Sequence, residues 1–324
     1  MRHWAPTRTR AVSAPPATMR GIVETAAGLE IAEIPTPVPV GDEVLVRVHA
    51  AGVCGTDAGT LADPTSAAPS TPGLDVAGVV VRAPYDAHPL AVGTEVHGVV
   101  PYPRVPGAYA EYAVVPPGSL AVRPDSLSLV EAAAVPVAGL SAWQAVVEVA
   151  QAHRGQRILV HDGASGIGHL AVQIAAYLGA HVTTTASGAG AAWMRELGAD
   201  VVVDTDTTRF EDVLPDVDVV IDPVGDRPNG AGSRSLDVLR PGGLLIAMHP
   251  WAGYAHDTEG RGIRATDFRF SPDGQTLATL GRLLDDGSIR VFVDSVLPLA
   301  DAATAHARFD EGHTRGRIVL SVAA

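Results

Sequence analysis

The chain has 324 residues and a net charge of -13, with 47% hydrophobic and 18% charged residues, which predicts two soluble globular domains. It has no basic stripe that would favour nucleic acid as a partner, and its acidic surface disfavours anionic membranes. No apolar run reaches the roughly 18 residues that span a bilayer. Residues 1–18 are rich in Pro, Ala, Thr and Arg and lack the apolar segment of a secretory signal, so we predict a loose extension.

From Met19 to about Leu127 the chain has the pattern of β-structure. Short apolar runs broken by Pro and Gly clusters predict a small β-barrel or sandwich. The runs are Glu43–His49, Val76–Arg82, Glu95–Val100 and Ala110–Val115. Near Ser128 the composition changes to an Ala-rich stretch with helical period that extends to His153.

Next comes an alternation of strands and helices, which predicts a parallel, doubly wound α/β sheet. The predicted strands are Ile158–Val160, His181–Thr185, Val201–Asp204, Val217–Ile221 and Leu244–Met248, with helices over Gly166–Leu178 and Ala191–Leu197. After Phe268 a helix (Gly274–Leu284), a strand (Arg290–Leu297), a helix (Ala300–Asp310) and a strand (Arg317–Val322) follow. These last elements are too small to form a core alone, so we expect them to return to the N-terminal domain. The predicted domains are 19–127 with 268–324, and 128–267.

A glycine-rich turn lies between the first strand and the first helix of this alternation. A strand, a tight glycine turn and a helix N-terminus, in that order, expose backbone N–H groups to a pyrophosphate and predict a dinucleotide site. The candidate residues are Gly163, Ala164, Ser165, Gly166, Ile167 and Gly168. All 23 basic residues are Arg, so chemistry that depends on a lysine, including the Tyr-x-x-x-Lys acid of short-chain dehydrogenases, is excluded.

Motifs along nearly the whole chain resemble those of the medium-chain dehydrogenase/reductase superfamily. They include AAGVCGTD at 50–57, PGLDVAGVV at 72–80, GAYAEYAVVP at 107–116 and AAAVPVAGLSAWQAV at 132–146, followed by HDGASGIGHLAVQIA, LGADVVVD, DPVG, LRPGGLLI and HTRGRIVL. The resemblance implies a GroES-like β-barrel domain joined to a Rossmann domain, with a nicotinamide cofactor in the cleft between them.

The superfamily contains zinc alcohol dehydrogenases and zinc-free quinone or enone reductases, and the chain resembles the second branch more closely. Cys54 stands where the zinc branch has one ligand, but Leu74 and Val137 occupy the positions of the other two. Cys54 is the only cysteine, which excludes an intrachain disulfide and a four-cysteine zinc site and is consistent with a cytoplasmic location. We therefore predict no metal.

The end of the second strand of the alternation bears on the choice of cofactor. An NAD-preferring Rossmann domain places an acid there, whereas this chain has Ser187, which favours NADPH. In similar NADPH enzymes a Lys often lies two residues beyond this Ser, where this chain has Ala189. An arginine from elsewhere in the chain would have to supply the positive charge for the 2′-phosphate, and Arg315 is the candidate. Later strand ends are expected to border the nicotinamide. Those candidates are Val224, Gly225, Ala247, Met248 and His249.

Without a zinc ion, reduction of a conjugated carbonyl compound or a quinone is favoured over alcohol oxidation. The catalytic candidates are Thr56, which matches the proton-relay position of the zinc branch, with Tyr109 and Cys54. A turn cap, a packing aromatic ring and a small buried side chain are the respective structural alternatives. Further candidate donors are Tyr102, His49 and His97, while His249 and Trp251 face either the cleft or a dimer contact.

We expect an NADPH-dependent, zinc-independent reductase of quinones or enones. A pathway-dedicated enoyl or ketone reductase and a catalytically silent NADP(H)-binding protein are alternatives. The resemblance also implies a homodimer, for which we predict pairing at a sheet edge formed by Leu244–Met248.

Overall fold

The structure is a computed structural model that describes residues 14–55, 57, 70–101, 107–214, 216–225, 231–248, 258, 260–312 and 314–322. Its strands form a two-stranded hairpin, a seven-stranded sheet and a six-stranded sheet. The hairpin is β1 (Thr18–Thr25) with β2 (Gly28–Pro35). Within the described residues, no helix is long and apolar enough to cross a membrane.

The seven-stranded sheet combines strands from both ends of the chain. They are β3 (Val44–Gly52), β4 (Asp75–Arg82), β5 (Glu95–Val99), β6 (Tyr112–Val115), β7 (Leu120–Val122), β14 (Val293–Pro298) and β15 (Arg317–Ser321). Their order is β14-β15-β3-β4-β5-β7, with β6 also paired to β3. Because β15 lies against the end of β3, the C-terminal residues are carried to the junction with the second sheet.

The six-stranded sheet is parallel throughout, and the glycine-rich turn follows its strand β8 (Arg157–Val160). The other strands are β9 (His181–Ala186), β10 (Val201–Asp204), β11 (Val217–Asp222), β12 (Leu239–Ala247) and β13 (Arg264–Asp267). They lie in the order β10-β9-β8-β11-β12-β13. A mixed α/β chain with a GroES-like barrel and a doubly wound parallel sheet was predicted from the sequence, and this is confirmed.

Seven α-helices fall within the described residues. They are α1 (Leu129–Ala133), α2 (Pro136–Trp143), α3 (Gly168–Tyr177), α4 (Gly188–Glu196), α5 (Ala231–Ser235), α6 (Gly274–Asp285) and α7 (Ala302–Glu311). The Ala-rich stretch predicted as one helical region is divided at Pro136, since proline lacks the N–H that a continuing helix requires and favours a new helix start. A π-helical turn, Gln144–Val149, follows α2.

Two sequence expectations about strands are wrong. The segment Leu244–Met248 is not at a sheet edge, because β12 is paired on both sides, by β11 and by β13. Strand β13 was not predicted, since its residues RATD contain no apolar run. The strand expected from Arg290 begins only at Val293.

One of the buried apolar clusters contains side chains from both the barrel domain and the parallel-sheet domain. Cys54 and Leu74, from loops of the barrel, pack in the same buried cluster as Val160 of β8 and Leu170 of α3. Val137 of α2 lies in this cluster too. The glycine-rich turn therefore lies directly against the barrel domain.

Candidate active site

The turn between β8 and α3 has no room for side chains at its glycines. A Cβ atom at Gly163 would collide with the Thr184 hydroxyl, and one at Gly168 would collide with the carbonyl oxygen of Asp162. Asp162 itself adopts a left-handed conformation with φ of 47°. This tight geometry brings backbone N–H groups and the N-terminus of α3 to the surface that a pyrophosphate needs.

Ser165 closes the turn internally. Its hydroxyl donates to the carbonyl of Asp162 at 2.7 Å and accepts from the N–H of Gly168 at 3.1 Å. A serine hydroxyl at such a turn is able to donate to a phosphate oxygen, but here its hydrogen already goes to the Asp162 carbonyl. Ser165 therefore rigidifies the turn, and its backbone remains the candidate phosphate contact.

The C-terminal segment holds the turn from outside. The N–H of Gly316 donates to the carbonyl of Ala164 at 2.9 Å, and the Arg317 side chain packs against Gly166. Neighbouring Arg315 places its guanidinium 5.4 Å from the centre of the Trp193 ring on α4, and its N–H donates to Asp294. The sequence candidate Arg315 is thus beside the nucleotide domain, although it faces an aromatic ring.

His169, in the first turn of α3, joins the glycine turn to the C-terminal segment. Its Nε2 accepts from the N–H of Phe292 at 3.4 Å, so its Nδ1–H donates to the carbonyl of Ser165 at 2.9 Å. Burial lowers the pKa of this imidazole to about 4. Burial likewise lowers the pKa of His97 on β5 to about 4. Both rings are therefore neutral in the folded protein at neutral pH.

These two histidines predict a loss of stability in mild acid. The unfolded chain binds a proton at each below about pH 6.5 whereas the folded protein does not, so the free energy of unfolding falls as the pH drops towards 4. Burial raises the pKa of Asp75 to about 6, which opposes this effect. In denaturant titrations at pH 7.5 and 5.5, we expect His169→Asn to reduce the loss by about 1 kcal/mol. An unchanged loss would contradict the assigned neutral state of His169.

A polar cluster, buried except for the partly exposed His306, lies where the barrel meets the glycine turn, and we call it the interdomain cluster. Its members are Cys54, Asp57, Asp75, Tyr109, His306 and Arg317. They come from a loop, β4, the segment before β6, α7 and β15. The carboxyl groups of Asp57 and Asp75 are both completely buried.

The two carboxylates organise three backbone positions that the resemblance relates to zinc ligands. Asp57 accepts from the N–H of Cys54 at 2.6 Å and from that of Leu74 at 3.1 Å. Asp75 accepts from the N–H of Val137 at 2.6 Å. The structure therefore brings these three positions together, but the side chains of Leu74 and Val137 carry no donor atom.

The cluster does not fit a catalytic zinc ion, which takes about three protein ligands. Cys54 offers one sulfur, and the nearby carboxylates already accept hydrogen bonds from the backbone and from Arg317. Among the residues that the structure describes, no group of three or more His, Cys, Asp or Glu side chains is arranged to hold a metal ion.

Arg317 and Asp75 form a buried ion pair. Burial raises the pKa of Asp75 to about 6, and Arg317 opposes that rise. Burial works against the charge on Arg317, yet Asp75 and the neighbouring Cys54 hold the pKa of the guanidinium above its usual value. The Nε atom of Arg317 is buried and has no hydrogen-bond partner among the described residues. The Arg317 guanidinium packs on Gly166, so its remaining Nε–H suits an anionic ligand at the turn.

Tyr109 is fully buried, with its hydroxyl between Asp57 and His306. It donates to Oδ2 of Asp57 at 2.9 Å, and its oxygen lies 3.1 Å from Nε2 of His306. Burial and then the charge of Asp57 raise the pKa of the phenol well above its ordinary value. Tyr109 therefore stays protonated and orients Asp57, the residue that follows Thr56 in the chain.

On the other side of β8 from β9, Asp222 at the end of β11 holds the loops that follow β11 and β12. Its Oδ1 accepts from the N–H groups of Val224 and Gly225, both at 3.0 Å, and its carbonyl accepts from the N–H of Met248 at 2.9 Å. These contacts bring the candidates Val224, Gly225 and Met248 together, beside Ala247 at the end of β12.

Sequence reasoning overlooked His161 at the end of β8. Its imidazole is buried between the hydroxyls of Thr185 at 3.2 Å and Ser235 at 2.8 Å. Its position directly before the glycine turn was the available signal. Of the other candidates, Thr56, Tyr102, His249 and Trp251 lie outside the described residues, and His49 is half-buried on β3.

Comparison with known proteins identifies the family. Residues 41–125 match the family described as the alcohol dehydrogenase GroES-like domain, and residues 197–320 match one described as zinc-binding dehydrogenase. A trans-enoyl reductase, pgmF, from Aspergillus terreus is 30% identical over 87% of this chain and 86% of its own length. The chain belongs to the medium-chain dehydrogenase/reductase superfamily. It falls in the quinone-oxidoreductase-like branch, and both predictions from the sequence are confirmed.

Further relatives agree with this branch. The 2-methylene-furan-3-one reductase of Solanum lycopersicum is 30% identical over 86% of this chain and 71% of its own length. Among solved structures, the quinone oxidoreductase from Coxiella burnetii superposes with a TM-score of 0.87 at 30% identity, covering 94% of this chain and all of that one. A mycobacterial protein complexed with NADPH gives a TM-score of 0.82 at 28% identity, with 94% and 100% covered. The chain is an oxidoreductase of the quinone and enone reductase type.

Proposed function

We propose that this protein reduces quinones or the activated double bond of α,β-unsaturated carbonyl compounds, with NADPH as the hydride donor and without zinc. The observation that carries the proposal is the floor of the site. Cys54, Leu74 and Val137 meet there, beside the glycine turn, with a single possible metal ligand among them. Relatives named as NADPH-dependent alkenal/one oxidoreductase and trans-enoyl reductase support the same chemistry.

The residues present fit a dinucleotide. The turn 163–168 has no space for side chains at its glycines, and the orphaned Nε of Arg317 lies beside it. Backbone N–H groups of the turn, the N-terminus of α3 and Arg317 would hold the pyrophosphate. Val224, Gly225, Ala247 and Met248 would border the nicotinamide. When bound, NADPH supplies the hydride that adds to the β-carbon of the enone or to the quinone.

The chain's own residues then hold the substrate and deliver a proton. The apolar side chains of Leu74 and Val137 exclude water from the floor, and the oxygen of the reduced substrate needs only a hydrogen-bond donor. We assign that role to Thr56, whose neighbour Asp57 is fixed by Cys54, Leu74 and Tyr109. Cys54 contributes a small buried side chain to the floor.

The function is tested by following NADPH oxidation at 340 nm with a short-chain enone, a quinone and an enoyl thioester. We expect turnover with at least one of them, unchanged after treatment with a chelator, and no stoichiometric zinc in the purified protein. Thr56→Val is expected to lower kcat by about 10–100-fold, and Thr56→Ser to retain most activity. Tight NADPH binding without any turnover would instead identify a silent nucleotide-binding protein.

A preference for enoyl thioesters over quinones would favour a dedicated enoyl reductase, as the name of the Aspergillus terreus relative suggests for that protein.

We also propose a homodimer that pairs through β13, because this strand has no partner on its outer side within the described residues. Sedimentation velocity tests this, and a monomer at micromolar concentration would contradict it. The lone cysteine supports a cytoplasmic location.

A further inference from the structure

The edge of the parallel sheet brings two consecutive loops together. Strands β9 and β10 are adjacent and parallel, with Ala186 opposite Asp204 in the register. Ser187 begins the segment that follows β9, and Asp204 ends β10. Because the carboxyl ends of both strands lie at the same level, carboxylates that follow β10 reach the position that sequence reasoning assigned to Ser187 alone.

Asp206 occupies the N-terminus of α4. Its Oδ2 accepts from the N–H of Gly188 at 3.2 Å, and its own N–H donates to Oδ1 of Asp204 at 3.0 Å. A Cβ atom at Gly188 would lie 3.1 Å from Oδ2 of Asp204, so the second carboxylate is in contact with the same turn. An N–H group at the start of this helix is thus already bound to a carboxylate.

This place belongs to the dinucleotide site. The N–H of Gly163 donates to the carbonyl of Thr185 at 2.9 Å, two residues before Ser187. Gly190 of α4 lies against Ala164 of the glycine turn, with 3.4 Å between its Cβ position and the Ala164 Cβ. In a Rossmann domain, the residues that follow the second strand face the ribose of the adenosine, where NADP(H) carries its 2′-phosphate.

Among the described residues, no arginine supplies a counter-charge to these two carboxylates. Within the described ranges, no arginine lies within 4 Å of a carboxylate oxygen of Asp204 or Asp206. Arg209 pairs with Glu211, and Arg315 lies over Trp193. A 2′-phosphate that enters here meets two carboxylates and one occupied N–H, whereas a ribose hydroxyl can donate to Asp206.

We propose that Asp206 sets the cofactor preference of this protein by competing with the 2′-phosphate for the N-terminus of α4. NADPH still binds, but it no longer binds more tightly than NADH, so NADH serves as a hydride donor too. Asp204 holds Asp206 in place through the backbone. This inference rests on the nicotinamide cofactor of the proposed function and is independent of the substrate.

The test measures binding of NADP⁺ and NAD⁺, and of 2′,5′-ADP and 5′-AMP, by isothermal titration calorimetry. For the wild-type protein, we expect the Kd values of NADP⁺ and NAD⁺ to agree within about tenfold. Asp206→Asn keeps an oxygen for the Gly188 N–H but removes the charge. It should tighten NADP⁺ and 2′,5′-ADP by about tenfold and change NAD⁺ and 5′-AMP by less than about threefold. Asp212→Asn removes one negative charge at an exposed carboxylate and is the control. It should change neither the ratio of the Kd values of NAD⁺ and NADP⁺ nor that of 5′-AMP and 2′,5′-ADP.

Each alternative outcome has a distinct meaning. The inference would be overturned if the wild-type protein bound NADP⁺ more than about a hundredfold more tightly than NAD⁺. It would also be overturned if Asp206→Asn had the same ratio of the two Kd values as wild type. Either result leaves the reductase assignment intact. An equal effect of Asp212→Asn would show that net charge alone is responsible and would overturn it too. Binding of none of the four nucleotides would overturn both the inference and the cofactor of the proposed function.

Discussion

Replacing Arg317 with Met is expected to lower the free energy of unfolding by about 3–5 kcal/mol. The substitution leaves the Asp75 carboxyl completely buried without the cation that pairs with it. It also removes the orphaned Nε beside Gly166, so cofactor affinity should fall by about tenfold or more. Urea denaturation and calorimetric titration with NADP⁺ measure the two effects.

The double variant Arg317→Met/Asp75→Asn separates the effect on stability from the effect on cofactor affinity. The Asn oxygen still accepts from the N–H of Val137, and neither position of the former ion pair carries a charge. Replacing both members of a buried ion pair is often close to neutral for stability. We therefore expect stability to return to within about 1–2 kcal/mol of wild type while cofactor affinity stays low. Recovery of both would show that Arg317 acts only through Asp75.

Gly168→Ala is expected to weaken NADPH binding by about a hundredfold. The new Cβ would collide with the carbonyl oxygen of Asp162 and with Cα of Gly163, and backbone atoms cannot move aside as a side chain does. The turn must open, and its N–H groups then no longer converge on the pyrophosphate. Quenching of Trp193 fluorescence or calorimetry would report the affinity.

Gly118→Ala provides the matched control. A Cβ at Gly118 meets nothing within 4 Å, so the same chemical change is made without a collision. Its cofactor affinity should equal that of wild type. If Gly168→Ala bound NADPH as tightly as Gly118→Ala, the turn would not be the pyrophosphate site.

Local patterns predicted the fold well where a segment carries its own signal. The apolar strands β8 to β12 and the helix after the glycine turn are encoded in consecutive residues, and the structure has them near the predicted positions. Strand β13 was missed because its pairing comes from β12 and not from its own composition. The hairpin β1–β2 was not recognised as a separate two-stranded sheet, since which strands pair depends on the folded chain.

For the site, the residue types alone exclude lysine-dependent mechanisms and argue against a catalytic zinc ion. A chain without lysine, with Leu74 and Val137 at the positions related to zinc ligands, excludes several mechanisms before any folding is considered. The glycine turn was also readable, because the three glycines, the strand and the helix are contiguous. These conclusions depend on composition and short-range order, which tertiary packing does not change.

Only the tertiary structure decided how the site is charged. Arg317 meets Asp75 across 242 residues because β15 returns to the barrel sheet, and Tyr109 meets His306 across 197 residues for the same reason. Asp206 meets Gly188 because β9 and β10 are parallel neighbours whose ends align. Contacts of this kind follow from the order and register of strands in a sheet. The sequence around Ser187 therefore indicated a site free of acid, while the next strand supplied two carboxylates.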